Sequence, residues 1–176
     1  YYWRINEKNA QGTTTGTVWS FTTGAGAPSE AIFYDDFDDG NLDGWTLYSD
    51  GFFTISDINN VMFFDRDSGS GEPNGTATVS FPLAPGVSNI QISMDMWKTY
   101  GNFEGDDYTE VLVGFGDTPE YTSVHIHYDD PVNVDVAVND NLIEGATTMW
   151  LRILLHSDAG SEDMAVDNVL VTADVP

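Results

Sequence analysis

The chain has 176 residues, no cysteine and a formal net charge of −24, with 5 Lys and Arg set against 29 Asp and Glu. Nucleic-acid binding is excluded because no basic footprint exists to displace counterions from phosphates, and docking on anionic membranes is disfavoured for the same reason. Neither a disulfide framework nor a zinc–thiolate site can form, and no apolar run approaches the roughly 20 residues that span a bilayer.

The charge is unevenly placed. The first thirty residues hold Arg4, Lys8, Glu7 and Glu30 and sum to zero, so the whole imbalance lies beyond them, where the only cations are Arg66, Lys98 and Arg152. Most of these acids read as a solvated surface. A minority sit on strand ends and Gly-rich turns, where they suit cation ligation instead. A secreted protein without disulfides often needs another staple, and a bound Ca2+ would supply one. The chain opens at Tyr1, without Met and without a signal peptide, which suggests a piece of something longer.

In chain order, residues 1–24 read first as a β-hairpin: Tyr1-Tyr2-Trp3-Arg4-Ile5-Asn6, a turn-rich stretch through Gly16, then Val18-Trp19-Ser20-Phe21-Thr22. This segment resembles the last two strands of a bacterial fibronectin type III domain. The resemblance implies either a boundary inside such a domain or a hairpin whose open edges pair with a neighbouring subunit. Residues 25–30 form a small flexible linker. Residues 31–176 alternate apolar runs with Gly- and Asp/Asn-rich turns, the pattern of an all-β sandwich. Strands are expected at 32–38, 52–56, 61–65, 76–82, 88–97, 108–115, 122–128, 132–138, 148–156 and 164–172, with no amphipathic helix.

Two matched acidic segments bracket this region. Asp36-Phe37-Asp38 alternates acid, apolar, acid, so Phe37 can point inward while both carboxylates share an edge. At the other end, in Ala165-Val166-Asp167-Asn168-Val169, Asp167 is expected on the face opposite Val166 and Asn168. If the first and last strands are neighbours, Asp36, Asp38 and Asp167 can converge on one Ca2+, which takes six to eight oxygens in tolerant geometry.

Residues 33–45 and 164–172 resemble the opening "D-F-E/D…G…G-W" and closing "A-x-D-N-V" strands of concanavalin A-like jelly rolls, nearest to the carbohydrate-binding modules of glycoside hydrolases, with adhesion modules of similar build behind them. The resemblance implies a jelly-roll β-sandwich, a structural calcium held at Asp38 and Asp167, and binding of a polysaccharide or glycan by an extracellular or cell-surface protein. At position 38 this chain has Asp where Glu is commoner.

The ligand face is sought on the polar side of three strands. On Asn89–Trp97 it carries Gln91, Ser93, Asp95 and Trp97; on Met149–His156 it carries Trp150, Arg152 and His156; and on Ser123–Tyr128 it carries His125 and His127, opposite Val124 and Ile126. Aromatic rings mixed with hydrogen-bonding groups suit a pyranose, which offers an apolar face and a rim of hydroxyls. Trp97, Trp150, Arg152, His125, His127 and Asp95 are therefore the candidate ligand residues. A rim site on Tyr100, Phe103, Tyr108 and Tyr121 is the alternative.

Catalysis is not expected. The resemblance would require a Glu-x-Asp-x-x-Glu strand, and the nearest approach, Glu104, Asp106 and Glu110, is interrupted by Gly105. The rival function is a structural or adhesive module of an extracellular filament or surface layer, in which the N-terminal hairpin would complete a sandwich in the next subunit.

Overall fold

The computed structural model describes residues 29–49, 53–66, 74–157 and 162–176 in full, and the backbone alone at 2–3, 7–9, 12–14 and 19–20. Within the first segment, β1 (Tyr2–Trp3) pairs with β4 (Trp19–Ser20) and β2 (Glu7–Asn9) with β3 (Gly12–Thr14), both antiparallel, as a hairpin requires. The linker residues 25–28 lie outside the described residues.

From Ser29 onward the chain builds two antiparallel sheets packed face to face as a β-sandwich. The first contains β5 (Ser29–Asp35), β7 (Phe53–Asp57), β8 (Met62–Arg66), β10 (Ser88–Tyr100), β13 (Val134–Ala137) and β15 (Asp163–Asp174), in the order β13-β10-β15-β8-β7, with β5 also on β15. The second contains β6 (Thr46–Ser49), β9 (Asn74–Pro82), β11 (Tyr108–Phe115), β12 (Thr122–Tyr128) and β14 (Thr148–His156), in the order β12-β11-β14-β9-β6. A 3-10 turn, Asp140–Leu142, lies between β13 and β14. No helix among the described residues is long and apolar enough to cross a membrane.

Period-2 patterning fixes which face is buried. On β14, Met149, Leu151, Ile153 and Leu155 are fully buried; on β10, Ile90, Ile92, Met94 and Met96 face them from the other sheet. Burying side chains of this size contributes roughly 1.5–3 kcal/mol each, so these two strands, with β15, supply much of the core.

The opening motif follows turn chemistry more than strand chemistry. The strand expected over 32–38 ends at Asp35, because Phe37 adopts φ +53° and leaves the sheet. Phe37 is nonetheless buried, beside Trp45 at 6.1 Å between ring centroids. Asp35 holds this corner: one carboxylate oxygen accepts the Phe37 N–H (3.0 Å) and the other the Trp45 indole N–H (2.8 Å). Asp36 and Asp39 accept backbone N–H groups two residues on, from Asp38 and Asn41. These are Asx turns, the local bonding that favours Asp in such loops.

β15 runs in two phases. Met164 and Val166 are buried, then Val169, Val171 and Ala173. Between them one extra residue enters, since Ser93 pairs with Leu170 but Asp95 with Asp167. Asn168 absorbs the bulge at φ +52°, a left-handed conformation that Asn tolerates better than most residues. The expected alternation of Asp167 and Asn168 across the sheet therefore fails, and Asn168 turns to the outer side.

Candidate glycan-binding groove

The outer face of the five-stranded sheet is built in rows fixed by register. One row runs Thr46, Thr78, Arg152, Leu112; the next Tyr48, Thr76, Leu154, Glu110, Ile126; the third Asn74, His156, Tyr108, Tyr128. A groove of about 410 Å³ opens on the first two rows, lined by Thr46, Tyr48, Thr76, Thr78, Tyr121, Trp150 and Arg152.

Its side chains are tightly placed. Arg152 Nε donates to Thr78 Oγ1 at 3.1 Å, and the guanidinium carbon lies 3.7 Å from the centroid of Tyr121. The Trp150 indole N–H donates to the carbonyl of Gly116 at 2.8 Å, which sets the ring plane. Tyr48, 59% exposed, stands on the edge strand β6. Tyr121 arrives because the 116–121 connection folds back over the sheet at Gly114, which pairs with Trp150. A Cβ at Gly114 would sit 2.5 Å from Pro119 Cβ, so the close approach needs glycine. At the far end of the same face, Tyr108 stacks on His156 with centroids 4.7 Å apart and meets Tyr128 at 5.7 Å.

The six ligand residues expected from sequence fall in three places. Trp150 and Arg152 line this groove. Asp95 and Trp97 lie on the outer face of the opposite sheet, Trp97 standing 39% exposed with Ala165 as its cross-strand neighbour. His125 and His127, both half-buried, are not on the outer face. They pair with Val111 and Thr109, both buried, so the imidazoles sit on the inner side of β12 while Ile126 and Tyr128 are exposed. A bulge between Val111 and Leu112 and the position of β12 at the sheet edge produce this inversion. Burial, and secondarily the charge of His127, lower the His125 pKa; its Nε2 is buried without a hydrogen-bond partner. Tyr48 and Thr46 were not expected because β6 was not recognised, and Thr76 and Thr78, on the expected strand β9, carry no ring or charge to mark a ligand face.

Of the expected metal ligands, Asp167 lies on β15, while Asp36 and Asp38 lie in the turn just after β5, the strand that pairs antiparallel with β15 and sets Asp35 opposite Val169. Burial raises the pKa of Asp167, the Asn168 backbone N–H opposes that, and the charges of Asp95, Asp38 and Asp36 raise it further. Asn168 bridges this group: its Nδ2 donates to Asp95 (2.9 Å) and Asp167 (3.2 Å), and its backbone N–H to Asp167 (2.7 Å). Asn60 Nδ2 donates to Asp38 at 3.2 Å. Among the described residues, the three acids whose ligand oxygens all lie within 4.8 Å of one another are different ones, Glu104, Asp107 and Glu162. Asp107 and Glu162 are buried there, and Ser157 Oγ donates to Glu162. Both groups offer only oxygen donors, the chemistry of Ca2+ and not of a softer metal.

No protein-family model matches the chain, and no curated protein matches it. Solved structures do. The K3 cleaved adhesin domain of Lys-gingipain from Porphyromonas gingivalis superposes with a TM-score of 0.58 at 11% identity, covering 81% of this chain and 99% of that one. The CBM22-1 xylan-binding domain of Paenibacillus barcinonensis Xyn10C gives 0.51 at 13% identity, covering 84% and 97%. A family 61 carbohydrate-binding module in complex with β-1,4-galactotriose gives 0.51 at 11% identity, covering 77% and 92%. At these identities the likeness is one of fold: a β-sandwich shared with carbohydrate-binding modules.

Proposed function

We propose that the chain is a non-catalytic glycan-binding module of a secreted or cell-surface protein, gripping a saccharide chain on the outer face of its five-stranded sheet. The observation that carries this reading is the convergence of Tyr48, Tyr121 and Trp150 with Arg152 and a floor of threonine hydroxyls in one groove. Rings stack on the apolar faces of sugars while hydroxyl and guanidinium groups meet their hydroxyls. From Trp150 to His156 the face extends roughly 20 Å along β14, at about 3.4 Å per residue, with a second aromatic cluster at its end. That is room for a chain in preference to a single sugar. Among the described residues no carboxylate lines the groove, and Glu110, farther along the same face, stands without the second carboxylate that glycoside cleavage requires. Superposable modules named for xylan and galactotriose support the same reading.

Calcium belongs to the proposal as a structural ion. Asp36, Asp38 and Asp167 would hold it, with Asp95 beside them, which would relieve the mutual repulsion that Asp167 experiences. Glu104, Asp107 and Glu162 are the competing position. Adhesion is the second functional reading, favoured by the superposition on the gingipain adhesin domain. In that case the N-terminal hairpin would pair with a neighbouring subunit.

A glycan array followed by calorimetry decides between the two. Binding that is lost in Trp150→Ala and Tyr121→Ala supports the groove. Absence of any glycan binding, together with concentration-dependent polymers, favours the adhesive module.

A further inference from the structure

Three of the grooves on the described surface differ in charge. The groove beside Ala84–Val87 is lined by Asp140 and Glu144 and the one over β10 and β13 by Asp95 and Asp135; neither holds a cation. The groove on the five-stranded sheet reverses this, with Arg152 and no carboxylate. In a chain of 29 acids and 5 Lys and Arg residues, a cation without a counter-ion among the described residues is an exception. Lys98, by contrast, is paired with Asp130 at 2.9 Å.

Arg152 is also held ready. Thr78 fixes Nε, and the Tyr121 ring fixes the guanidinium plane. Its two terminal nitrogens make no hydrogen bond among the described residues. Four N–H donors therefore remain in a planar fork, the geometry that matches a carboxylate through two parallel bonds.

We propose that this groove selects acidic glycans, with the carboxylate of a uronic-acid unit docking on the terminal nitrogens of Arg152. This rests on the glycan reading above and names the class of sugar. Because the rest of the surface is strongly negative, the selection is local. Charges farther away than about 8 Å are largely screened at physiological ionic strength, so one uronate at the groove is favoured while a dense polyanion is repelled. The fitting ligand is a largely neutral chain with isolated uronic acids.

Calorimetry at 0.15 M salt with glucuronic-acid-substituted xylotetraose, tetragalacturonate and their carboxyl-reduced counterparts tests the proposal. The acidic form of the sparsely charged chain should bind about tenfold or more tightly than its reduced form. Arg152→Gln should abolish that preference, so that acidic and reduced chains bind with equal affinity, and Arg152→Lys should keep part of it. Equal binding of acidic and reduced chains by the wild type, or a preference that survives Arg152→Gln, overturns acid selection and leaves glycan binding standing. Failure to bind any of these chains, or any other on an array, overturns both.

Discussion

Arg152 and Tyr121, thirty-one positions apart in sequence, meet with the guanidinium carbon 3.7 Å from the ring centroid. Neither is rigid alone: Arg152 is a long side chain and Tyr121 ends a surface connection. Together they make a wall whose apolar and charged surfaces are both fixed in direction, and such stacking contributes about 0.5–2 kcal/mol depending on desolvation. Tyr121→Ala should therefore weaken glycan binding about tenfold or more and lower the melting temperature by a few degrees. Titration of the wild type and variant against one oligosaccharide measures it.

Gly114 places that wall. Its missing side chain admits Pro119, and an added methyl group would force the connection off the sheet. Gly114→Ala should cost about 1–3 kcal/mol of stability through overpacking and should lower glycan affinity as Tyr121 moves away from Arg152. Denaturant melts and the same titration read the two effects separately. A variant that loses stability but keeps full affinity would show that Tyr121 needs no such support.

Asp167 is the diagnostic residue for the ion. Burial and three neighbouring carboxylates raise its pKa, so its ionised form is disfavoured in the folded chain. The stability that follows is fully present below the unfolded pKa and is lost as pH rises through the raised value. In chelator at neutral pH, Asp167→Asn should thus melt higher than the wild type. With calcium at 100 times its dissociation constant the wild type should gain about 2.7 kcal/mol and the variant little. A calcium gain that persists in Asp167→Asn would move the ion to Glu104, Asp107 and Glu162.

His125 has the opposite sign. Its pKa is lowered by burial and then by His127, so the folded chain prefers the neutral ring. The unfolded chain takes up the proton near pH 6.5, so stability is retained above that pH and declines as pH falls toward the folded value. His125→Gln should flatten the decline in melting temperature between pH 7.5 and 5, followed by circular dichroism.

The central strands were plain in the sequence because their alternation is unbroken: the odd positions of β14, and the even positions of β10 from Ile90 to Met96, are all apolar and all buried. What stayed hidden has local causes. β6 is only Thr46–Ser49, an edge strand with Leu47 exposed, so its pattern is too short and too weakly apolar to register. On β12 the bulge beside Val111 and the open sheet edge let Ile126 face water and His125 face inward, against the polarity rule. The groove needed both kinds of information. Trp150 and Arg152 are visible on one strand, but the residues that make them a site come from β6, β9 and the 116–121 connection, and register across strands is not written in any one segment.

The single surplus residue in β15 acts as a phase shifter. Upstream of it, even-numbered positions enter the interior; downstream, odd-numbered ones do. Removing Asn168 outright would merge the two phases into one unbroken alternation and keep Val169, Val171 and Ala173 inward, but it would take away the amide that bridges Asp95 and Asp167. The C-terminal strand should therefore keep its packing on deletion, whereas a β-branched residue at that position would strain the left-handed backbone.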